Sequence, residues 1–244
     1  MKQFDSVSFP ALERLHNGVW DPIDKAAICS ACGLVLAAHW RDRYPAAVKC
    51  ICEEKDKNET ERRFQLSNLP NRESRTFNNF KMPPGSAEAF NAVRAFADGY
   101  PPHILLLWGE PGSGKTHLLE AAARQLLGSE FNIRYEYTPD FLNRIRATFS
   151  NKENTEDVLN YYRNVPVLFL DDIGTEKASD WTSEALTTLV DERYRNERRL
   201  LITTNCNYQE LSDRGYKRLA SRIFDTETGA AWNVQVNGDY RLRR

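Results

Sequence analysis

From residue 100 onward the chain alternates short apolar runs with longer amphipathic stretches. ILLLW at 104–108, VPVLFL at 165–170 and LLITT at 200–204 are continuous apolar runs too short to be helices. Such runs suit strands buried on both faces of a parallel sheet. Phe131, Ile133, Tyr135 and Tyr137 alternate with mostly polar residues, which predicts a less buried strand, and 232–236 alternates like an edge strand. Between the runs, helices are expected at 117–127, closed by Gly128, at 141–149, opened by Asp140, and at 182–199. In the last of these Ala185, Leu186, Leu189, Val190 and Tyr194 fall on one face. Strands alternating with helices predict an α/β fold: a parallel sheet flanked by helices on both sides.

The first quarter of the chain follows a different pattern. Residues 1–25 carry only turn signals, Asn17-Gly18 and Asp21-Pro22. Of the five cysteines, Cys29, Cys32, Cys50 and Cys52 share one short window, and Cys206 stands apart. Four thiolates spaced C-x2-C and C-x-C match the closed tetrahedron of a structural Zn2+ site, with His39 as a substitute for one of them. The alternative is a buried helix over 28–38 carrying small cysteines in its apolar face. From Glu53 to Arg63, nine of eleven residues are charged, the pattern of a solvated helix face or linker. Leu69-Pro70 then breaks any helix. The expected organisation is a zinc-binding module over 1–63, a linker over 64–76 and the α/β domain over 77–244.

Composition narrows the class. At 244 residues, 41% hydrophobic and 27% charged, the chain is that of an ordinary globular protein and not a disordered or fibrous one. No apolar run reaches the roughly 18 residues of a membrane span, and the start lacks the apolar stretch of a secretory signal, so a cytoplasmic protein without membrane partners is expected. With 33 basic and 34 acidic side chains, the net charge of −1 excludes a uniformly basic nucleic-acid coat. Phosphate-backbone binding would have to come from local patches or from a ring of subunits that gathers them.

The chemistry-bearing motif begins where the 104–108 strand ends. GEPGSGKT matches G-x-x-x-x-G-K-[ST], whose glycines let backbone amides wrap a triphosphate at a helix N-terminus. Gly109, Glu110, Pro111, Gly112, Ser113, Gly114, Lys115, Thr116 and His117 are therefore the candidate ATP-binding residues. Lys115 would reach the β and γ phosphates and Thr116 would coordinate Mg2+. VLFLDD at 167–172 is an apolar strand ending in two carboxylates. The C-terminal strand ends of a parallel sheet line the ligand crevice, which makes Asp171 the second Mg2+ partner and Asp172 the residue that polarises the attacking water. Alone, an aspartate pair would read as a turn or a cap. Asn205, at the end of the 200–204 run, would sit between the two motifs and hold that water or face the γ-phosphate.

These stretches resemble the AAA+ ATPases of the DnaC/DnaI helicase-loader and IstB transposition-helper group, most of all the DnaI-like loaders. The resemblance spans roughly 75–241 and rests on RTFNNF at 75–80, GEPGSGKTHLL, LFLDDIGTEKASDW at 168–181, TTN at 203–205 and RLASRIF at 218–224. It implies that TTN is the family's sensor 1, and that Arg222 is an arginine finger completing the ATP site of a neighbouring subunit, with Arg218 as the rival. A finger given in trans implies a homo-oligomer. The same resemblance implies that the cysteine module engages a replicative DnaB-type helicase and that the helix at 141–149 lines a DNA path, where Arg144 and Arg146 would touch single-stranded DNA phosphates. As a bland alternative both arginines are solvated helix residues, as Arg214 and Lys217 are expected to be. Three functions follow: an ATP-dependent loader of the replicative helicase onto single-stranded DNA, an IstB-like helper of a transposase, and a zinc adaptor in which nucleotide is a structural ligand.

Overall fold

The computed structural model describes short strands within 4–46, then residues 51–70, 75–129, 131–150, 155–175, 178–225 and 231–237. Two compact units emerge, Met1–Arg62 and Arg63–Arg244.

The described residues of the first unit form seven short strands: β1 (Phe4–Val7), β2 (Glu13–His16), β3 (Val19–Pro22), β4 (Ala26–Cys29), β5 (Val35–Leu36), β6 (His39–Arg41) and β7 (Tyr44–Ala46). They pair antiparallel, in the order β1-β4-β5 and as the ribbons β2-β3 and β6-β7. Ile28 and Cys29 are extended within β4, so the alternative of a helix over 28–38 does not describe this segment. The zinc ligand set Cys29, Cys32, Cys50 and Cys52, with His39, lies outside the described side chains. The charged run forms part of α1 (Ile51–Ser67).

The second unit is an α/β layer structure. Its sheet joins β8 (Ile104–Trp108), β9 (Ile133–Tyr137), β10 (Val167–Ile173), β11 (Arg199–Thr204) and β12 (Ala231–Gln235) in the order β12-β8-β11-β10-β9, every pair parallel. Because side chains alternate across a strand, each apolar run feeds two cores. Ile104, Leu106, Leu168, Leu170, Leu200 and Ile202 face one core. It is filled from α4 (Thr138–Ser150), α5 (Thr155–Asn164), α6 (Asp180–Arg195) and α8 (Lys217–Ile223). Leu105, Leu107, Phe169, Leu201 and Val234 face the other, filled from α2 (Ala87–Ala97) and α3 (Lys115–Gly128). Leu69 joins that second core and Phe64 packs against it.

Several boundaries differ from the sequence expectation for identifiable reasons. The helix expected over 182–199 stops at Arg195, because Asn196 caps it and Glu197 takes a left-handed φ of 50° that turns the chain into β11. The run at 165–170 begins its strand only at Val167, since the Val165 amide closes α5 on the Tyr161 carbonyl. The strand expected to be less buried, β9, does lie at a sheet edge, yet Ile133, Tyr135 and Glu136 are all buried.

Candidate active site

The loop after β8 folds as it does because its glycines occupy backbone regions that side chains disfavour. Gly109, Gly112 and Gly114 have φ of 136°, 83° and 98°. A Cβ on Gly109 would collide with the Val236 carbonyl oxygen, and one on Gly114 would lie 2.9 Å from the Phe80 ring. Helix α3 starts at Lys115, so its first amides point back toward the loop. The buried Lys115 ammonium donates to the carbonyls of Gly109 and Glu110, each at 2.7 Å, and approaches Ser113 Oγ at 3.3 Å. The Lys115 cation is therefore already directed into the loop.

The sheet order then assembles the acids. Strand β11 lies between β8 and β10, so its C-terminal end falls between the glycine loop and the acidic pair. Asp171 is buried and surrounded by donors: Tyr135 Oη reaches Oδ2 at 2.8 Å, while Thr203 Oγ1 and Thr116 Oγ1 reach Oδ1 at 2.6 and 3.1 Å. Burial raises its carboxyl above the usual carboxylate range, and these hydroxyls, Thr203 first, work against that rise. The β10–β11 register breaks between Leu170 and Ile173, and Asp172 adopts a left-handed φ of 62°. Aspartate tolerates this region better than most residues, and the turn swings its carboxylate toward β11. There Asn205 Nδ2 donates to Asp172 Oδ1 at 2.6 Å, and the Asp172 amide donates to Thr203 Oγ1 at 2.8 Å.

These groups border a cavity of about 510 Å3 whose walls include Pro111, Gly112, Gly114, Lys115, Thr116, His117, Asp172, Thr203 and Asn205. Its far wall is the leading segment, with Arg75, Asn79, Phe80, Lys81 and Pro83. Sequence reasoning assigned no ligand role to that wall, although RTFNNF had marked it as a unit. His117 fastens it: Nε2 lies 3.0 Å from both the Thr76 carbonyl and Asn79 Oδ1, and the imidazole meets Phe80 edge-on. Burial, aided by the Arg75 charge, lowers the His117 pKa against the opposing Thr76 contact. Beneath the wall, Arg75 pairs with the buried Glu120 carboxylate at 2.7 Å. A cavity with a glycine cradle, an inward lysine and an aromatic flank fits a nucleoside triphosphate. The hard oxygens of Thr116 and Asp171, 3.1 Å apart, fit Mg2+.

Other expected site residues lie elsewhere. Arg222, on α8, is not in the cavity wall; its side chain is half-exposed and its Nε pairs with Asp191 on α6 at 2.8 Å. Arg218 is exposed and has no hydrogen-bond or ion-pair partner among the described residues. Arg214 is exposed, as expected of a surface residue, and it also donates to the Gly174 and Thr175 carbonyls at 2.7 and 3.2 Å, just beyond the acidic pair. It belongs to a π-helical segment, Ser212–Tyr216, that joins the short α7 (Tyr208–Leu211) to α8. On α4, Phe141, Leu142 and Ile145 do pack inward, while the Phe149 side chain lies outside the described residues. Arg144 is not a simple solvated arginine, because it donates to Glu136 Oε1 and Tyr162 Oη, both at 2.7 Å. Arg146 is exposed and stacks over Trp181 at 5.8 Å.

Comparison with known proteins gives a consistent picture. The family model for the bacterial DnaA ATPase domain matches residues 71–227. Replicative helicase loader DnaI of Bacillus subtilis (strain 168) is 30% identical over 146 residues, which is 56% of this chain and 47% of that one. Replicative helicase loader DnaC of Escherichia coli (strain K12) is 28% identical over 190 residues, 75% of this chain and 76% of that one. The chain thus spans about half the length of DnaI. The crystal structure of the DnaC helicase loader superimposes with a TM-score of 0.57 at 25% identity, covering 66% of this chain and 96% of that one. With its glycine loop, its acidic strand end and its intervening β11, the chain belongs to the bacterial DnaA ATPase-domain family, within the AAA+ group that includes DnaC and DnaI.

Proposed function

We propose that this chain is a cytoplasmic ATPase that loads a replicative DnaB-type helicase onto single-stranded DNA, with ATP-dependent self-assembly as the switch. The observation that carries the reading is the convergence of Lys115, Thr116, Asp172 and Asn205 on one cavity, with Asp171 bonded behind Thr116. In a molecule otherwise similar to DnaI and DnaC, that convergence favours a nucleotide site over a purely structural one.

Each residue has a definite task. Lys115 exchanges loop carbonyls for β and γ phosphate oxygens. Thr116 and Asp171 hold Mg2+, which when bound neutralises charge on those oxygens. Asp172, held by the Asn205 amide, polarises the water that displaces the γ-phosphoryl group. Arg222 stabilises charge on the phosphoryl group of the adjoining subunit, after leaving Asp191. The cysteine module, with a Zn2+ held by Cys29, Cys32, Cys50 and Cys52, contacts the helicase.

The test mixes the full chain, or a chain beginning at Arg63, where the second unit starts, with its host's replicative helicase and reads size-exclusion chromatography with light scattering, with and without ATP. A complex that requires residues 1–62 supports the loader. No complex in any condition refutes it and points to the transposase helper. In parallel, Lys115→Ala should abolish nucleotide binding, whereas Arg222→Ala should spare binding and lose turnover in the assembled state. Equal loss of binding in both would refute the trans finger.

A further inference from the structure

The metal-side carboxylate has a partner that the phosphate motifs do not contain. Tyr135 is buried at 5% exposure, and its hydroxyl donates to Asp171 Oδ2 at 2.8 Å. The opposite oxygen, Oδ1, is the one that reaches Thr116 at 3.1 Å, and it also accepts from Thr203 at 2.6 Å. A carboxylate on a strand rotates about its last torsion, and that rotation decides whether an oxygen faces the threonine. The Tyr135 donor on Oδ2, opposite the Thr203 donor on Oδ1, fixes the rotation with an oxygen directed at Thr116.

The tyrosine is itself held. Strand β9 pairs in parallel register with β10, with Tyr135 opposite Phe169. Asn68, at a left-handed φ of 58° just past the end of α1, donates through Nδ2 to the Tyr135 carbonyl and to Glu136 Oε2, both at 3.1 Å. Arg134 Nε pairs with Glu136 Oε1 at 2.6 Å and its NH1 donates to the Leu66 carbonyl at 2.8 Å. The backbone that aims the phenol is thus fixed from both sides of Tyr135.

We infer that Tyr135 is the positioning residue for the metal-binding carboxylate, orienting Asp171 so that it and Thr116 form one Mg2+ site. The inference rests on the assignment of Asp171 as the metal ligand. Outer-sphere hydrogen-bond partners of metal ligands typically change metal affinity by about 10- to 100-fold when removed. Tyr135→Phe deletes one oxygen and preserves the ring that fills the core.

The experiment uses the full chain with ADP and titrates Mn2+, read by electron paramagnetic resonance, for the native protein, Tyr135→Phe and Asp171→Asn. ADP affinity in EDTA is measured alongside. The expected result is a loss of Mn2+ affinity of about tenfold in Tyr135→Phe and a larger loss in Asp171→Asn, with EDTA-state ADP affinity within about twofold of native for Tyr135→Phe. Native Mn2+ affinity in Tyr135→Phe, together with a loss in Asp171→Asn, overturns the role of the tyrosine alone. Native Mn2+ affinity in both overturns the metal assignment and the inference with it. An equal loss of ADP affinity in EDTA overturns the inference too, because the phenol would then shape the pocket and not the metal site.

Discussion

Arg144 offers a quantitative contest between two jobs, contact with DNA and support of the fold. Its guanidinium donates to Glu136 Oε1 and Tyr162 Oη, each at 2.7 Å, and Glu136 has no exposed side-chain surface. Removing a charge-assisted hydrogen bond costs about 1.5–3 kcal/mol, whereas an exposed ion pair contributes only about 0.2–1 kcal/mol. The Arg144 side chain is 40% exposed, so solvent screens its end of the pair and the lower part of the first range applies. Glu136 also keeps Arg134 and Asn68, which limits the damage further. Arg144→Ala is therefore expected to cost about 1.5–2 kcal/mol, or roughly 3–8 °C in thermal midpoint for a unit of this size. In a Glu136→Gln background the same change should cost about 1 kcal/mol less, the sign of direct coupling in a double-mutant cycle. Arg146→Ala, whose guanidinium among the described residues meets a ring face at 5.8 Å and Asn143 at 3.3 Å, should stay within about 0.5 kcal/mol. The assay is thermal and urea unfolding of the five proteins (native, Arg144→Ala, Glu136→Gln, their double variant and Arg146→Ala), followed by single-stranded DNA binding against salt. Indistinguishable stability for the Arg144 and Arg146 variants would refute the structural assignment. A weakened salt slope in a stable Arg144→Ala would return that residue to the DNA path.

Three further outcomes follow from the geometry. Gly109→Ala places a methyl group on the Val236 carbonyl at a φ of 136°, so nucleotide affinity in an equilibrium titration should fall at least tenfold; unchanged affinity would show that the loop does not need that close approach. Arg193 is fully buried, stays cationic at neutral pH with a pKa pushed down by burial to about 9, and donates to the carbonyls of Tyr162, Val165 and Arg199 at 2.7, 2.9 and 2.5 Å. Arg193→Met leaves those carbonyls unpaired at about 1–3 kcal/mol each, offset by no longer burying a charge, for a net loss of about 2–4 kcal/mol in urea unfolding; a neutral result would refute the bonding role. For His117, the folded imidazole is less basic than the unfolded one, so between those two values the unfolded chain binds more protons. Stability should accordingly fall as pH drops from above about 6.5, the unfolded value, to the lower folded value, and His117→Asn should flatten that slope in pH-dependent melting. An unchanged slope would refute the burial argument.

How much of this was legible in the sequence depended on how local the cause was. Ile104–Trp108 is read without error because a continuous apolar run meets a glycine, and both signals lie within neighbouring residues. The acidic pair and Asn205 were legible as strand ends, and the sheet order then brings them together. Helix α2 and helix α5 went unread for different reasons: in α2 the apolar Ala89, Ala92, Val93, Phe96 and Ala97 do recur at helical spacing, a legible signal that was passed over, whereas α5 buries only Tyr162 among its described residues and tertiary packing decides it. The partners of Arg144 and Arg214 lie in other elements, at Glu136 and Gly174, and no periodicity in α4 or before α8 reveals them. Tyr135 carried only the faint signal of an aromatic residue in an alternating strand, while its bond to Asp171 spans 36 residues.

The order of the sheet also dictates when the site can come into being. Strand β8, which leads into the glycine loop, is flanked only by β11 and β12, and the first of these pairs Ile104 with Leu200. A chain emerging from the ribosome therefore displays β8, apolar on both faces, long before either neighbour exists. Contacts so distant in sequence make folding slow and leave an aggregation-prone edge exposed meanwhile. The loop, the acids and Asn205 come together at the end of that process and not at its beginning. Nucleotide binding by a nascent or truncated chain would accordingly report completion of the sheet, and a ligand that stabilises only the finished arrangement would pull folding toward it.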